Sequence, residues 1–306
     1  MGTTTIEWTQ NEDGTPGETW NPIKGCTRIS PGCGGGMTGP NGERGGCYAE
    51  GIAARFSKPG LAFHGFAEMR DGKPRWTGKV ALIPELLDEP LRRRKPTTWF
   101  ISMSDLFHEK LTNEEIAAVF GVMAASQRHR FQVLTKRAER MRDWFAWVNQ
   151  THSAAAWIAQ AAGDILSTNF PGMSRWDQAL ASVVEDGSWP RRNIWLGVSV
   201  EVAEYKLRLA LLRDCPAAIR FASLEPALGD LGLLDLSGID QVITGAESGH
   251  GARPMQEQWV RSIRDQAKAQ GVAFFYKQRL NERKHKVSLP LLDGQQWAEM
   301  PEVATR

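Results

Sequence analysis

The 306-residue sequence predicts an α/β protein built on parallel strands whose C-terminal ends converge as at the mouth of a βα barrel. Two observations predict this fold. Six short apolar runs alternate with helix-like stretches, and a polar residue sits at or near the C-terminal end of each run. A third observation, a glycine-rich loop that gathers three of the four cysteines, indicates where the chemistry lies.

The runs are WFISMSD (99–105), FQVLTK (131–136), IWLGVSVE (194–201), IRFASLE (219–225), QVITGAES (241–248) and VAFFYKQ (272–278). Each is nearly continuously apolar and rich in β-branched or aromatic residues, as expected of a strand covered on both faces. Ahead of them, residues 55–97 read as a flap over the cysteine loop followed by a helix around 83–93. After the first run, Thr112 with Glu115 forms a capping box that opens a helix over 113–128. After the second, RAERMRDWFAWVNQ (137–150) carries an apolar face of Met141, Trp144, Phe145 and Val148. Residues 151–192 read as a peripheral insertion with helical pieces near 153–165 and 174–185. Before the last run, the helical stretch 255–270 stops at Gly271, a natural C-cap. Helices placed between strands in this way imply right-handed crossovers and a parallel sheet. No linker bounds the insertion at both ends, so residues 1–306 are expected to form one domain.

Composition narrows the class. With 42% hydrophobic residues, 24% charged residues and a net charge of +2, the chain reads as an ordinary globular protein without an overall basic excess. No apolar run approaches the roughly 20 residues of a membrane span. The N-terminus, MGTTTIEWTQ, lacks the basic start and apolar core of a signal peptide. A cytoplasmic protein without membrane association is expected, and there clustered cysteines serve metal or redox chemistry more often than disulfides.

The cysteine loop is GCTRISPGCGGGMTGPNGERGGCYAE, residues 25–50, with Cys26, Cys33 and Cys47 spaced Cys-x6-Cys-x13-Cys. Eight of the residues between Cys33 and Cys47 are glycine or proline, so the segment contributes little to a core. Three thiolates leave a metal site one ligand short of tetrahedral. In an iron–sulfur cluster that deficit leaves one iron open, and glycines let backbone amides approach the sulfides. A Pro-Asn-Gly turn at 40–42 would fold the segment out as a hairpin and return Cys33 to the side of Cys47. A zinc site completed by Cys215 or a histidine, and unliganded thiols, are the alternatives.

The segments TWNPIKGCTRISPGC…GGCYAE, ISMSDLFH, FQVLTKRAER, NIWLGVSVE, RFASLEPALG, ITGAESGHGARPM and FFYKQ run in order from about Glu7 to Gln278. Together they resemble a largely uncharacterised phage protein family. That family is itself similar to radical S-adenosylmethionine enzymes and distantly like spore photoproduct lyase. The resemblance implies a partial (βα)6-type barrel, a 4Fe–4S cluster on Cys26, Cys33 and Cys47, and S-adenosylmethionine on the unique iron. This chain departs from the family in its last two cysteines, which the family keeps two residues apart. It also lacks the Cys-x3-Cys-x2-Cys spacing of the wider superfamily.

The same resemblance implies roles for the strand ends. Ser102, Ser104 and Asp105 would meet the ammonium of the methionine moiety, and Lys136 or Arg137 its carboxylate. Ser199 and Glu201 would hold the ribose hydroxyls, Thr244 and Gly245 would let adenine approach the backbone, and Tyr48 would pack on adenine. Glu225, Glu247 and Lys277 remain as catalytic candidates. A reductant such as flavodoxin or ferredoxin is implied. The resemblance further implies a nucleobase in DNA or a nucleotide as substrate class, with isomerase- or lyase-type chemistry during phage DNA modification in the host cytoplasm. The oligomeric state stays open.

Two readings from other classes compete. A βα-barrel hydrolase would use Glu201, Glu225 and Glu247 as acid and base, and a zinc-stabilised binding protein would close a four-thiolate site with Cys215. The six histidines show no metal-ligand spacing. RRRK at 92–95 reads as a solvated helix face, and Trp144 and Trp147 as helix packing.

Overall fold

The computed structural model describes residues 2–34, 42–101, 103–151, 153–171, 176–249 and 251–302. The chain forms two compact units. The first comprises Met1–Cys26, Gly78–Leu196 and Asp214–Ala218, and the second Thr27–Thr77, Gly197–Arg213 and Ile219–Arg306. Each unit is assembled from three separate stretches, which is why no single linker in the sequence marks the boundary.

All six expected strands are present. In the first unit β1 (Thr98–Ile101) and β2 (Arg130–Thr135) run parallel, with Thr98 opposite Arg130 and Ile101 opposite Val133. Trp99, Phe100, Ile101, Phe131 and Val133 are all buried, as the two-sided apolar pattern requires. The helix Asn113–Ala125 opens with the expected capping box, both of its hydrogen bonds present. It closes earlier than expected because residues 126–129 turn into β2, with the His129 amide donating to the Ser126 carbonyl at 2.9 Å. The next helix, Ala138–Asn149, buries Met141, Trp144, Phe145 and Val148 as its periodicity predicts. Trp144 stacks on Phe120 with ring centroids 4.5 Å apart.

The segment 151–192, expected to be peripheral, supplies helices Ala154–Asn169 and Asp177–Asp186. The former crosses Asn113–Ala125 so closely that a Cβ on Gly121 would collide with the Ile158 carbonyl. Ile158, Ala162 and Leu166 are buried, so the segment is packed into its unit rather than appended to it. The expected helix at 83–93 is two short turns, Pro84–Leu86 and Glu89–Arg92, each with a proline at its first or second residue, where it cannot continue a helix from the preceding turn.

β3 (Ile194–Ser199) begins in the first unit and ends in the second. The Phe131 amide donates to the Asn193 carbonyl at 2.7 Å, and the Val200 amide to the Ser223 carbonyl at 2.9 Å. In the second unit β4 (Ile219–Leu224), β5 (Gln241–Gly245) and β6 (Ala273–Leu280) are parallel neighbours in chain order. Helix Glu257–Ala269 crosses from β5 to β6, burying Val260, Ile263 and Ala267. The antiparallel strand Lys286–Ser288 borders β6. The fold is thus mixed α/β with mostly parallel strands, and no closed barrel is found among the described residues. No helix among them is long and apolar enough to cross a membrane.

Two buried histidines make the first unit sensitive to acid. His129 Nδ1 accepts from the Thr97 amide at 3.1 Å, and His108 Nδ1 accepts from the Lys110 amide at 3.2 Å. Desolvation holds each pKa down to about 4. The unfolded chain, with its histidine pKa near 6.5, therefore takes up these protons first. Stability is full above about pH 6.5 and falls as pH drops towards 4, by roughly 2–3 kcal/mol per histidine at the acid end. Urea denaturation across this range checks the expectation, and a flat profile would contradict it.

Candidate functional site

In the first unit, the C-terminal ends of β1 and β2 are tied together by Asp105. Its Oδ1 accepts from Thr135 Oγ1 at 2.6 Å and from the Phe107 amide at 3.0 Å. Its Oδ2 accepts from the Lys136 amide and from Arg137 Nη1, both at 3.1 Å. A carboxylate offers about four acceptor sites, and here four donors meet it. Arg137 also donates Nε to Glu109 at 2.8 Å and turns Nη1 towards the Cys26 sulfur at 3.9 Å. Burial works against the Arg137 charge, but Asp105, Cys26 and Glu109 outweigh it and raise its pKa. The chain leading to Cys26 is anchored to the residues after β1: Ser104 Oγ donates to the Gly25 carbonyl at 2.5 Å, and the Met103 amide to Asn21 Oδ1 at 3.0 Å.

In the second unit, two carboxylates just beyond strand ends hold the two arms of the cysteine loop. Glu201, after β3, is fully buried; it accepts from Ser30 Oγ at 2.5 Å and from Arg208 Nη1 at 3.0 Å. Glu247, after β5, forms a forked pair with Arg253, at 2.9 Å to Nε and 2.6 Å to Nη2. Both partners reach the loop. The Gly46 amide donates to Glu247 at 3.3 Å, and Arg253 Nη2 donates to the Pro31 carbonyl at 3.0 Å.

Glycine is required where these clamps close. Gly45, at φ +59°, has no room for a Cβ against Glu247 and Arg253. A Cβ on Gly34, at φ +83°, would lie 2.9 Å from the Gly46 Cα. The residue after Cys33 therefore touches the residue before Cys47. Burial, reinforced by the neighbouring Cys33, pushes the Cys47 thiol above its usual range. Helix Tyr48–Arg55 starts directly after Cys47, and its buried Glu50 accepts from the Trp76 amide at 2.8 Å and pairs with Arg28. The expected flap is thus, over 67–76, a β-hairpin packed on this helix through Ala53, Ala54, Ala67 and Trp76.

A further pair joins the end of β4 to the interior of β6. Lys277 Nζ is 3.3 Å from Glu225 Oε2, and both side chains are largely buried. Lys277 owes its position to a register shift: Thr244 lies opposite Tyr276 but Gly245 opposite Gln278, so Lys277 is the extra residue. Between the two strands Gly245 leaves the necessary space, since a Cβ there would be 2.6 Å from Glu225 Oε1.

The remaining expected residues fall as follows. Ser199 ends β3, buried, with its carbonyl accepting from Arg208 at 2.7 Å. Thr244 Oγ1 donates to the Leu224 carbonyl at 3.3 Å, and Tyr48 is half-exposed. Ser102, the turn residues Pro40 and Asn41, His152 and His250 lie outside the described residues. All four cysteines are free of disulfides. No set of three or more His, Cys, Asp or Glu side chains is gathered as a metal site among the described residues. Sequence reasoning missed Ser30, Arg208 and Arg253. The signal for the arginines was local: each follows a strand-end glutamate within seven residues, Arg208 on helix Leu207–Arg213 and Arg253 in a loop, and a buried carboxylate needs a partner.

A family model described as a protein of unknown function (DUF5131) matches residues 3–301. No curated protein and no solved structure matches the chain.

Proposed function

We propose that this chain, which belongs to the DUF5131 family, is a radical S-adenosylmethionine enzyme with Cys26, Cys33 and Cys47 as ligands of a 4Fe–4S cluster. The observation that carries the reading is the double clamp on the cysteine loop. Two buried carboxylate–arginine pairs tether the arms that bear Cys33 and Cys47, the first thiol buried and the second partly buried. The donors suit such a group: the thiols form no disulfide, and burial together with the neighbouring Cys33 disfavours ionisation of Cys47 in a way a bound cation would relieve. Within each unit the parallel strands follow in chain order, as in a partial (βα)6-type barrel, which we take as the fold.

When bound and reduced, a cluster of this kind supplies the electron that cleaves S-adenosylmethionine to a hydrogen-abstracting 5′-deoxyadenosyl radical. The protein's task is to bind, orient and exclude water. Asp105 and Glu201 act here as positioning groups, because their carboxylates are already engaged by Arg137 and Arg208. Ser104, Lys136, Ser199, Thr244, Gly245 and Tyr48 keep the cofactor-binding roles that the resemblance implies. Glu225 and Lys277 are the pair we assign to proton handling at the substrate, a nucleobase in DNA or a nucleotide. A flavodoxin- or ferredoxin-type reductant in the cytoplasm completes the system. The hydrolase alternative is the weaker reading, since Glu201 and Glu247 are each committed to an arginine and a general acid must carry a proton.

Anaerobic reconstitution, followed by iron, sulfide and zinc analysis and a search for 5′-deoxyadenosine, tests the proposal. A colourless protein that retains zinc would replace it with the zinc-stabilised binding protein. Lys277→Met is expected to keep full iron content and lose product formation by about a hundredfold or more, the range of general acid–base assistance. Normal turnover by this variant would remove the pair from the chemistry.

A further inference from the structure

We propose that Arg92, Arg94 and Arg128 form a binding pocket in the first unit for the phosphate backbone of a nucleic acid. The cavity measures about 570 Å3 and is lined by these arginines with Leu91 and Trp176. No acidic side chain lines it among the described residues. The run RRRK does not form a helix face, because the turn Glu89–Arg92 ends at Arg92 and Arg93 is extended, at φ −73° and ψ 120°. Alternate residues of an extended chain point to opposite sides. Arg93 accordingly pairs with Glu18 and Lys95 with Asp13, while Arg92 and Arg94 line the cavity.

The cationic side is held in place. His129 Nε2 lies 3.0 Å from the Pro90 carbonyl and 3.1 Å from that of Arg93, fixing the backbone between them. Arg128 Nη1 donates to the Arg93 carbonyl at 3.0 Å, which brings its guanidinium to the same wall. Arg92 is paired with Asp88 at 3.0 Å, whereas Arg94 makes no ion pair or hydrogen bond among the described residues. Guanidinium groups gathered without lining acids repel one another, and a phosphate with its forked acceptors relieves that cost. The Cα atoms of Arg92 and Arg94, on either side of the extended Arg93, lie roughly 6.5 Å apart. Leu91 and Trp176 add an apolar wall of the kind sugars and bases pack against. Three arginines beside an apolar wall offer more partners to a phosphate backbone with its sugars and bases than to a single free phosphate.

The inference rests on the nucleic-acid substrate class proposed above and is independent of the cluster. Anisotropy titrations of the full chain with labelled single- and double-stranded oligonucleotides test it, without iron and at several salt concentrations. Arg94→Glu/Arg128→Glu is the test variant, and Arg142→Glu, a half-exposed residue paired with Asp143, is the control. Both test positions are exposed, and melting curves verify that the variants fold. We expect binding to weaken by at least about tenfold and the salt slope to fall by about two in the double variant, with the control unchanged. Equal binding by the double variant overturns the pocket and leaves the substrate class standing. No binding by the wild-type chain at low salt overturns the pocket and the DNA reading of the substrate, leaving only the nucleotide. Displacement of the oligonucleotide by inorganic triphosphate at matched phosphate concentration reassigns the pocket to a free phosphate ligand and overturns the backbone inference.

Discussion

Replacing Cys26, Cys33 or Cys47 by alanine is expected to abolish stable iron binding, while Cys215→Ala leaves iron content and the visible spectrum unchanged. Reconstituted wild-type protein should hold about four irons per chain, as three thiolates around a 4Fe–4S cluster imply. Cys26 lies beside the Arg137 guanidinium, and Cys33 and Cys47 lie on loop arms held together through Gly34 and Gly46. Cys215 is almost wholly buried, and its loss is a small core deletion of about 1–2 kcal/mol. Iron and sulfide determination on the four variants separates these cases. Equal dependence on Cys215 would support a closed four-thiolate site and remove the open iron from the proposal.

The strands and their order were legible because an apolar run covered on both faces leaves a signal in every residue, as in Trp99–Ile101 or Phe274–Tyr276. The capping box at Thr112 and the stop at Gly271 were legible because each is a local rule of backbone geometry. The position of Lys277 was not, since a register shift between β5 and β6 is a property of two strands and appears in neither alone. The packing of Ala154–Asn169 was hidden for a related reason. Its alanine-rich face looks weakly apolar, yet small side chains are what let it approach Gly121. RRRK misled because helix and extended periodicities assign the same four residues to different sides, and the proline-interrupted turn decides between them.

The strand-end carboxylates raise the subtler point. Their positions follow from the sequence, but their partners do not, because Glu201–Arg208 joins a strand end to the following helix and Glu247–Arg253 closes a loop, and neither pairing has a periodicity to read. A polar residue at a strand end can face a ligand or hold the element that does. The pairing partner distinguishes these roles, and only the folded chain supplies it.

Arg253→Met is expected to be among the most disruptive single changes in the second unit. It leaves the Glu247 charge buried without its guanidinium, a loss of about 3–5 kcal/mol. The double variant Glu247→Leu/Arg253→Met should recover most of that stability, because a buried ion pair replaced by apolar groups of similar volume is often neutral. It does not restore the tethers from Arg253 to the Pro31 carbonyl and from the Gly46 amide to Glu247. The arms bearing Cys33 and Cys47 should therefore open more often even when the unit is stable. Alkylation followed by peptide mass spectrometry reads this directly in the metal-free protein, with buried Cys215 reporting any global unfolding. We expect Cys33 and Cys47 to react about tenfold faster in the double variant, corresponding to roughly 1.4 kcal/mol of local opening, and Cys215 not at all faster. Wild-type thiol reactivity in a stable double variant would mean that the pair supports the fold alone and that Glu201 with Ser30 is sufficient to hold the loop.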